Sequence, residues 1–97
     1  MKKSYVFIFN SSLGKNDEIR EYLNASGYVI TWRKELGSAY FFVSEYAAKE
    51  IYEDVSQYFG KGKGTFLITE VTSNKQGLLN KRSWDLLNKK KLPPKEG

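Results

Sequence analysis

The chain predicts an α+β domain whose elements run strand, helix, strand, strand, helix, strand. Three observations carry this. Two short runs, Tyr5-Val6-Phe7-Ile8-Phe9 and Ala39-Tyr40-Phe41-Phe42-Val43, are apolar without alternation, as expected of strands covered on both faces at the centre of a sheet. A stretch that does alternate, residues 28–34, lies between them and reads as an edge strand. Apolar residues at helical spacing follow the first run by about ten residues and the second almost at once.

Taken in order, the first strand covers residues 4–10, and Asn10-Ser11-Ser12-Leu13-Gly14 reads as a turn-rich loop. Asn16 is placed to cap the first helix, with Asp17 and Glu18 where the positive helix end favours acids. Ile19, Tyr22 and Leu23 form its buried stripe and Gly27 stops it. The second strand sets Tyr28, Ile30 and Trp32 on one face and Val29, Thr31 and Arg33 on the other. Glu35-Leu36-Gly37-Ser38 makes a hairpin turn into the third strand, residues 39–43.

Ser44 is placed to cap the second helix, whose stripe is Ala47/Ala48, Ile51, Val55 and Tyr58/Phe59. Glu45 and Lys49 are spaced as an i, i+4 pair, and Glu50, Glu53 and Asp54 give an acidic, solvated outer face. Gly60-Lys61-Gly62-Lys63-Gly64 is a flexible basic loop. It lacks the spacing and the Ser/Thr of a phosphate-binding loop, and a strand follows it, residues 65–71. A short helix begins near Asn80, with Trp84 and Leu87 on one side, and Pro93-Pro94 ends regular structure. Residues 1–88 are expected to form one domain and residues 89–97 a basic mobile tail. The order βαββαβ with strands one and three central is the ferredoxin-like sandwich, antiparallel with sheet order 4-1-3-2, because right-handed crossovers put both helices on one face.

Composition narrows the chemistry. The 97 residues contain no Cys and no His, which removes disulfides, thiolate chemistry and the usual general base. No Ser has a base partner, so hydrolase chemistry is not supported. Met1-Lys2-Lys3 precedes an apolar run too short for a leader or a membrane span, and a cytoplasmic protein is expected, with no membrane partner. Residues 1–60 hold seven Lys/Arg against eight Asp/Glu, whereas residues 61–97 hold nine against three. The whole net charge of +5 therefore sits in the last third, an asymmetry that suits nucleic acid, an acidic protein or a solubilising tail. The residues concerned are Lys61, Lys63, Lys75, Lys81, Arg82, Lys89, Lys90, Lys91 and Lys95. All but Lys95 are taken as the candidate nucleic-acid contacts.

The central strands leave the sheet no polar face. If Val6 and Ile8 face the helices, then Tyr5, Phe7 and Phe9 face away, beside Tyr40 and Phe42 or beside Ala39, Phe41 and Val43, and the pattern leaves the register open. An apolar patch of that size calls for a cover. RNA is one candidate, since recognition-motif sheets stack bases on strand-one and strand-three aromatics. Val6-Phe7-Ile8-Phe9-Asn10 looks like that family's first signature, but Ser38 stands where the first stacking ring of the second belongs and Leu36, not a base, precedes Gly37. A second copy packed sheet to sheet is the other candidate, with Tyr5, Phe7, Phe9, Tyr40 and Phe42 at the interface. Burial of about 400–600 Å² per chain would supply roughly 10–15 kcal/mol gross before association costs.

The fourth strand followed by Gly77-Leu78-Leu79-Asn80-Lys81-Arg82-Ser83-Trp84-Asp85-Leu86-Leu87-Asn88 resembles the close of SinR-like proteins, relatives of the small CRISPR-associated adaptation nuclease. The hairpin Glu35-Leu36-Gly37-Ser38-Ala39-Tyr40 resembles their second β-hairpin, and the resemblance spans residues 4–88. It implies a ferredoxin-like homodimer, sheet against sheet, with C-terminal segments crossing to the partner and a basic surface for nucleic acid. That family holds Mg²⁺ with an Asp at the end of strand one, paired across the dimer; this chain has Asn10. An amide is a weaker ligand than a carboxylate for a hard cation and brings no charge. The expectation is therefore a homodimer that binds nucleic acid non-specifically without cleavage and needs no cofactor or metal. A protein-interaction module for an acidic partner, a recognition-motif-like RNA binder and a residual metal-dependent nuclease are the alternatives.

Overall fold

The computed structural model of the chain describes residues 1–90. Its elements are β1 (Lys3–Phe9), α1 (Asn16–Ala25), β2 (Thr31–Leu36), β3 (Ala39–Ser44), α2 (Ala48–Phe59), β4 (Phe66–Glu70) and α3 (Lys81–Lys89). The strands form one antiparallel sheet in the order β2-β3-β1-β4. This is the ferredoxin-like βαββαβ sandwich that the sequence predicts, with β1 and β3 at its centre and a C-terminal helix added.

Pairing of β1 with β3 sets Tyr5 opposite Phe42 and Phe7 opposite Tyr40. These four rings and Phe9 face α1 and α2, each 7 % exposed or less, in one cluster with Ile19, Tyr22, Leu23, Trp32, Ile51 and Val55. The assignment of Tyr5, Phe7, Phe9, Tyr40 and Phe42 to a free sheet face is thus corrected: they are the core. Tyr5 stacks on Phe42 at 5.2 Å between centroids, Phe9 on Tyr40 at 5.9 Å, and Phe7 meets Phe66 edge-on at 5.8 Å. Such pairs add to area burial.

The other face carries Val6, Ile8, Phe41 and Val43, and α3 lies across it. Phe41, Val43, Leu86 and Leu87 form a second apolar cluster with Val6, Ile30, Val71, Leu79 and Trp84 packed around it. A helix of nine residues is too short to persist alone, and the sheet holds this one at both ends. At its start, Asn80 caps α3 by accepting from the Arg82 N–H at 2.9 Å. The Glu35 carboxylate takes the Asn80 N–H at 2.6 Å and the Ser83 hydroxyl, while Arg33 Nε donates to Ser83 Oγ at 2.9 Å. At its end, where intrahelical donors run out, the buried Ser4 hydroxyl donates to the carbonyls of Leu87 (3.0 Å) and Leu86 (3.2 Å), the latter also accepting the Lys90 N–H. The C-terminal segment, expected to cross to a partner, packs here on its own sheet.

Several element boundaries differ from expectation for tertiary reasons. β2 begins at Thr31 because the chain first turns at 27–28: Ser26 Oγ accepts the Tyr28 N–H at 3.1 Å and donates to Asp54 at 2.8 Å. The turn shifts the alternation, so Val29 and Trp32 join the core on the α1/α2 side while Ile30 packs beneath α3. Lys15, not Asn16, is the N-cap of α1; its N–H donates to Glu18 at 2.9 Å. Ser44 ends β3 and accepts the Tyr46 N–H at 3.1 Å, so α2 begins only at Ala48. Glu45 therefore precedes the helix and does not share helical spacing with Lys49. α3 runs through Lys89, one residue past the expected domain boundary, and the expected tail from residue 91 onward lies outside the described residues.

Two outcomes are expected. Phe7 is fully buried among rings, so Phe7→Ala should cost about 3–5 kcal/mol in urea unfolding; a loss below about 1 kcal/mol would contradict its place in the core. The Glu35 carboxyl is held below its ordinary value of 4.5, first by the Ser83 hydroxyl, then by the Asn80 N–H and the Arg33 charge. A depressed carboxyl contributes stability above its unfolded value, and that contribution disappears as pH falls through the folded value. Acid should therefore loosen α3 below about pH 4.5, followed by Trp84 emission, and Glu35→Gln should lack that acid step. An identical acid limb in the variant would exclude Glu35 as the anchor.

Candidate nucleic-acid interface

The sheet separates two layers of opposite charge. α1 carries Asp17, Glu18 and Glu21 against Arg20, and α2 carries Glu50, Glu53 and Asp54 against Lys49. α3, on the other side, carries Lys81, Arg82 and Lys89 against Asp85. Three acids to one base in each helix of one layer face three bases to one acid in the other.

The predicted basic residues do not converge on one point. Lys81 and Arg82 are exposed on the first turn of α3, beside the end of β2 through the Glu35–Asn80 contact. Lys89 and Lys90 stand at the other end of α3, near Ser4 of β1, about 12 Å away along a helix rising 1.5 Å per residue. Lys90 is the C-cap in the left-handed region, φ 52°. Lys75 lies in the β4–α3 connection and donates to the Thr72 carbonyl at 2.9 Å. Lys61 and Lys63 are exposed in the α2–β4 loop, whose sharp turn uses positive φ at Gly60 and Gly62. That loop sits against the β1–α1 loop: a Cβ on Gly64 would lie 2.5 Å from the Leu13 backbone nitrogen. Lys91 falls outside the described residues.

Asp85 governs how much of the α3 charge is free. It pairs with Lys81 at 3.0 Å and Lys89 at 3.4 Å. The hydrogen bond from Lys81, then the charges of Lys81 and Lys89, hold its carboxyl below the ordinary carboxylate value. The acidic row of α2, by contrast, is not a simple solvated face. Glu50 accepts the Ala47 N–H at 2.9 Å at the helix start, and Asp54 turns inward to accept the hydroxyls of Tyr22 (2.7 Å) and Ser26 (2.8 Å). Burial, then the bond to Asp54, raises the Tyr22 hydroxyl well above its ordinary value.

No stacking platform is formed on the α3 side by the central strands. Their residues there are Val6, Ile8, Ala39, Phe41 and Val43, and the one ring, Phe41, is buried beneath α3. Trp32 is in the core with its indole N–H on Asn24 at 2.8 Å, and Trp84 packs with the Phe41 cluster. Beyond the reach of α3, Ile8 (44 % exposed) and Leu67 (56 % exposed) remain open. Asn10 does not fit a divalent cation, because its amide oxygen accepts the Ser12 N–H at 3.0 Å and the Ser12 hydroxyl. It opens the loop instead, and among the described residues no three His, Cys, Asp or Glu side chains gather to hold a metal.

Sequence reasoning did not single out Ser4, Ser83, Glu35 or Arg33, which fasten α3. Nothing about an isolated hydroxyl distinguishes it from a solvated one. The Asp85 clamp was visible, since Lys81, Asp85 and Lys89 recur every four residues. Among the described residues no helix is long and apolar enough to cross a membrane. Compared with protein-family models, curated proteins and solved structures, the chain matches none.

Proposed function

We propose that the chain binds nucleic acid without sequence preference through the α3 side of its sheet. The observation that supports this is the division of charge by the sheet, with α3 basic and α1 and α2 acidic. A polyanion approaching this dipolar body is steered towards α3 and repelled from the opposite layer. Lys81, Arg82, Lys89 and Lys90 are the contacts, and phosphate oxygens are their targets, because the central strands present no bare ring beside them. The ferredoxin-like order, the hairpin at 35–40 and the run 77–88 support kinship with SinR-like proteins. The packing of α3 on its own sheet departs from the crossing segments that kinship implies.

Asp85 supplies a test that runs against simple intuition about losing a residue. Asp85→Asn releases Lys81 and Lys89 from their shared partner and should tighten binding to any duplex by about 3–10-fold. Lys81→Glu with Arg82→Glu should weaken it by at least about tenfold. With four phosphates neutralised, log K should fall against log salt with a slope of about −3.6. Fluorescence anisotropy on unrelated duplexes between about 50 and 200 mM salt measures all three. Affinity indifferent to salt and to Asp85→Asn would refute the reading. Absence of any nucleic-acid complex alongside tight binding to an acidic protein would transfer the α3 face to that partner.

A further inference from the structure

The two edges of the sheet are built differently. Along β2, Arg33, Lys34 and Glu35 follow one another, the pairing with β3 is irregular between Lys34 and Leu36, and Glu35 is bonded to the start of α3. Charges and bulges of this kind keep a foreign strand from pairing. β4 has neither. Its five residues Phe66-Leu67-Ile68-Thr69-Glu70 pair with β1 without a shift in register, include no Pro or Lys, and carry one charge, at the last position.

The register identifies which backbone groups are free. The Val71 N–H donates to the Ser4 carbonyl at 2.8 Å and the Asn10 N–H to the Thr65 carbonyl at 3.2 Å. In an antiparallel ladder such residues alternate, so Thr65, Leu67, Thr69 and Val71 turn N–H and C=O towards β1. Phe66, Ile68 and Glu70 turn theirs to the outer edge, and among the described residues no strand lies there.

We infer that β4 docks against β4 of a second copy of this chain, antiparallel about a two-fold axis at Ile68, to make one eight-stranded sheet. The three outward residues are centred on Ile68, so the two-fold pairs Phe66 with the partner's Glu70, Ile68 with the partner's Ile68 and Glu70 with the partner's Phe66. All six outward N–H and C=O groups on each edge then meet a complement, as an isologous contact requires. Neither Glu70 faces a like charge. The flanking side chains continue the match: Leu67 and Ile8 are exposed on the α3 side, and on the other side the half-exposed Tyr52 stacks on Phe66 at 5.6 Å. A foreign peptide could use the backbone groups alone, whereas a second copy also brings Leu67 and Tyr52 to the seam. A seam made by one five-residue strand from each copy falls at the small end of specific interfaces, which suits a dissociation constant in the micromolar range. Because the axis is perpendicular to the sheet, both α3 helices lie on the same side. The pairing itself does not rest on the polyanion reading.

The test uses the full chain in buffer free of nucleic acid. Sedimentation from about 1 μM to about 500 μM should show a monomer–dimer transition. Leu67→Lys, at an exposed side chain, should raise its midpoint about tenfold or more with thermal unfolding unchanged. Ile68→Pro removes an outward N–H and should abolish the dimer if it folds; Leu67→Lys decides the matter if it does not. Leu67 and the partner's Thr69 form a non-hydrogen-bonded pair with Cα atoms about 4.5 Å apart, within disulfide range. A mixture of Leu67→Cys and Thr69→Cys chains should therefore cross-link faster than either alone. A chain that stays monomeric throughout would overturn the inference. So would a dimer that Leu67→Lys leaves intact and that shows no preferred cross-link between positions 67 and 69. A monomer that still binds duplex would remove this inference and leave the polyanion reading standing.

Discussion

The structure depends on one constraint: β1 and β3 are apolar on both faces, so both faces must be covered. α1 and α2 take the side with Tyr5, Phe7, Phe9, Tyr40 and Phe42. The other side, with Val6, Phe41 and Val43, requires a third helix. α3 answers that need, although its outer surface is polar and its length is marginal. Apolar contact through Leu86 and Leu87 supplies the driving force. Ser4 at one end and Glu35 with Ser83 at the other fix the orientation, because each meets a helix terminus whose backbone groups would otherwise be unsatisfied. A carboxylate at the helix start also opposes the positive end of the macrodipole.

The same constraint explains why the core is so rich in rings with polar tips. In a domain this small, a side chain long enough to cross the core also reaches its rim. Tyr5 donates to the Tyr46 carbonyl at 2.6 Å, Tyr22 to Asp54, Tyr40 to Asn16 at 2.9 Å and Trp32 to Asn24. Each ring therefore buries its faces and ends on a partner beyond the element that carries it. Asn16 and Asn24 belong to α1, so the bonds from Tyr40 and Trp32 hold that helix over the sheet, and the bond from Tyr22 of α1 to Asp54 ties α2 to α1. They also explain the inward turn of Asp54 out of the acidic row, which leaves the negative layer weaker than a count of its carboxylates suggests.

Sheet order was legible because it follows from alternation alone: residues 5–9 and 39–43 do not alternate and must be central. Which of their faces meets α1 and α2 was not legible, since Val6 and Ile8 are as apolar as Phe7 and Phe9. Volume was the unused signal. On β1 the larger side chains, Tyr5, Phe7 and Phe9, lie beneath the two helices, and the smaller Val6 and Ile8 are on the side of the single helix. The start of β2 was missed because Ser26 and Asp54, 28 residues apart, set the turn before it. The basic candidates were legible as a class but not as a surface. Proximity in sequence joins Lys61 and Lys63 to Lys75, whereas in space the first two belong to a loop against Leu13 and the α3 residues to the opposite face of the sheet.

The position of α3 also determines what kind of recognition the protein can perform. A four-stranded sheet reads bases when its central strands present bare rings to unstacked nucleotides. Here the central-strand rings are buried on one side, and Phe41 is buried beneath α3 on the other. A ligand reaching that side meets Lys81, Arg82, Asp85, Asn88 and Lys89, a surface of charges and one amide. Such a surface can grip a phosphate backbone but has little with which to tell one base from another. The helix that completes the core thus removes base readout from the sheet and supplies a charged face in its place. The lack of sequence preference in the proposed binding follows from the way the core is closed.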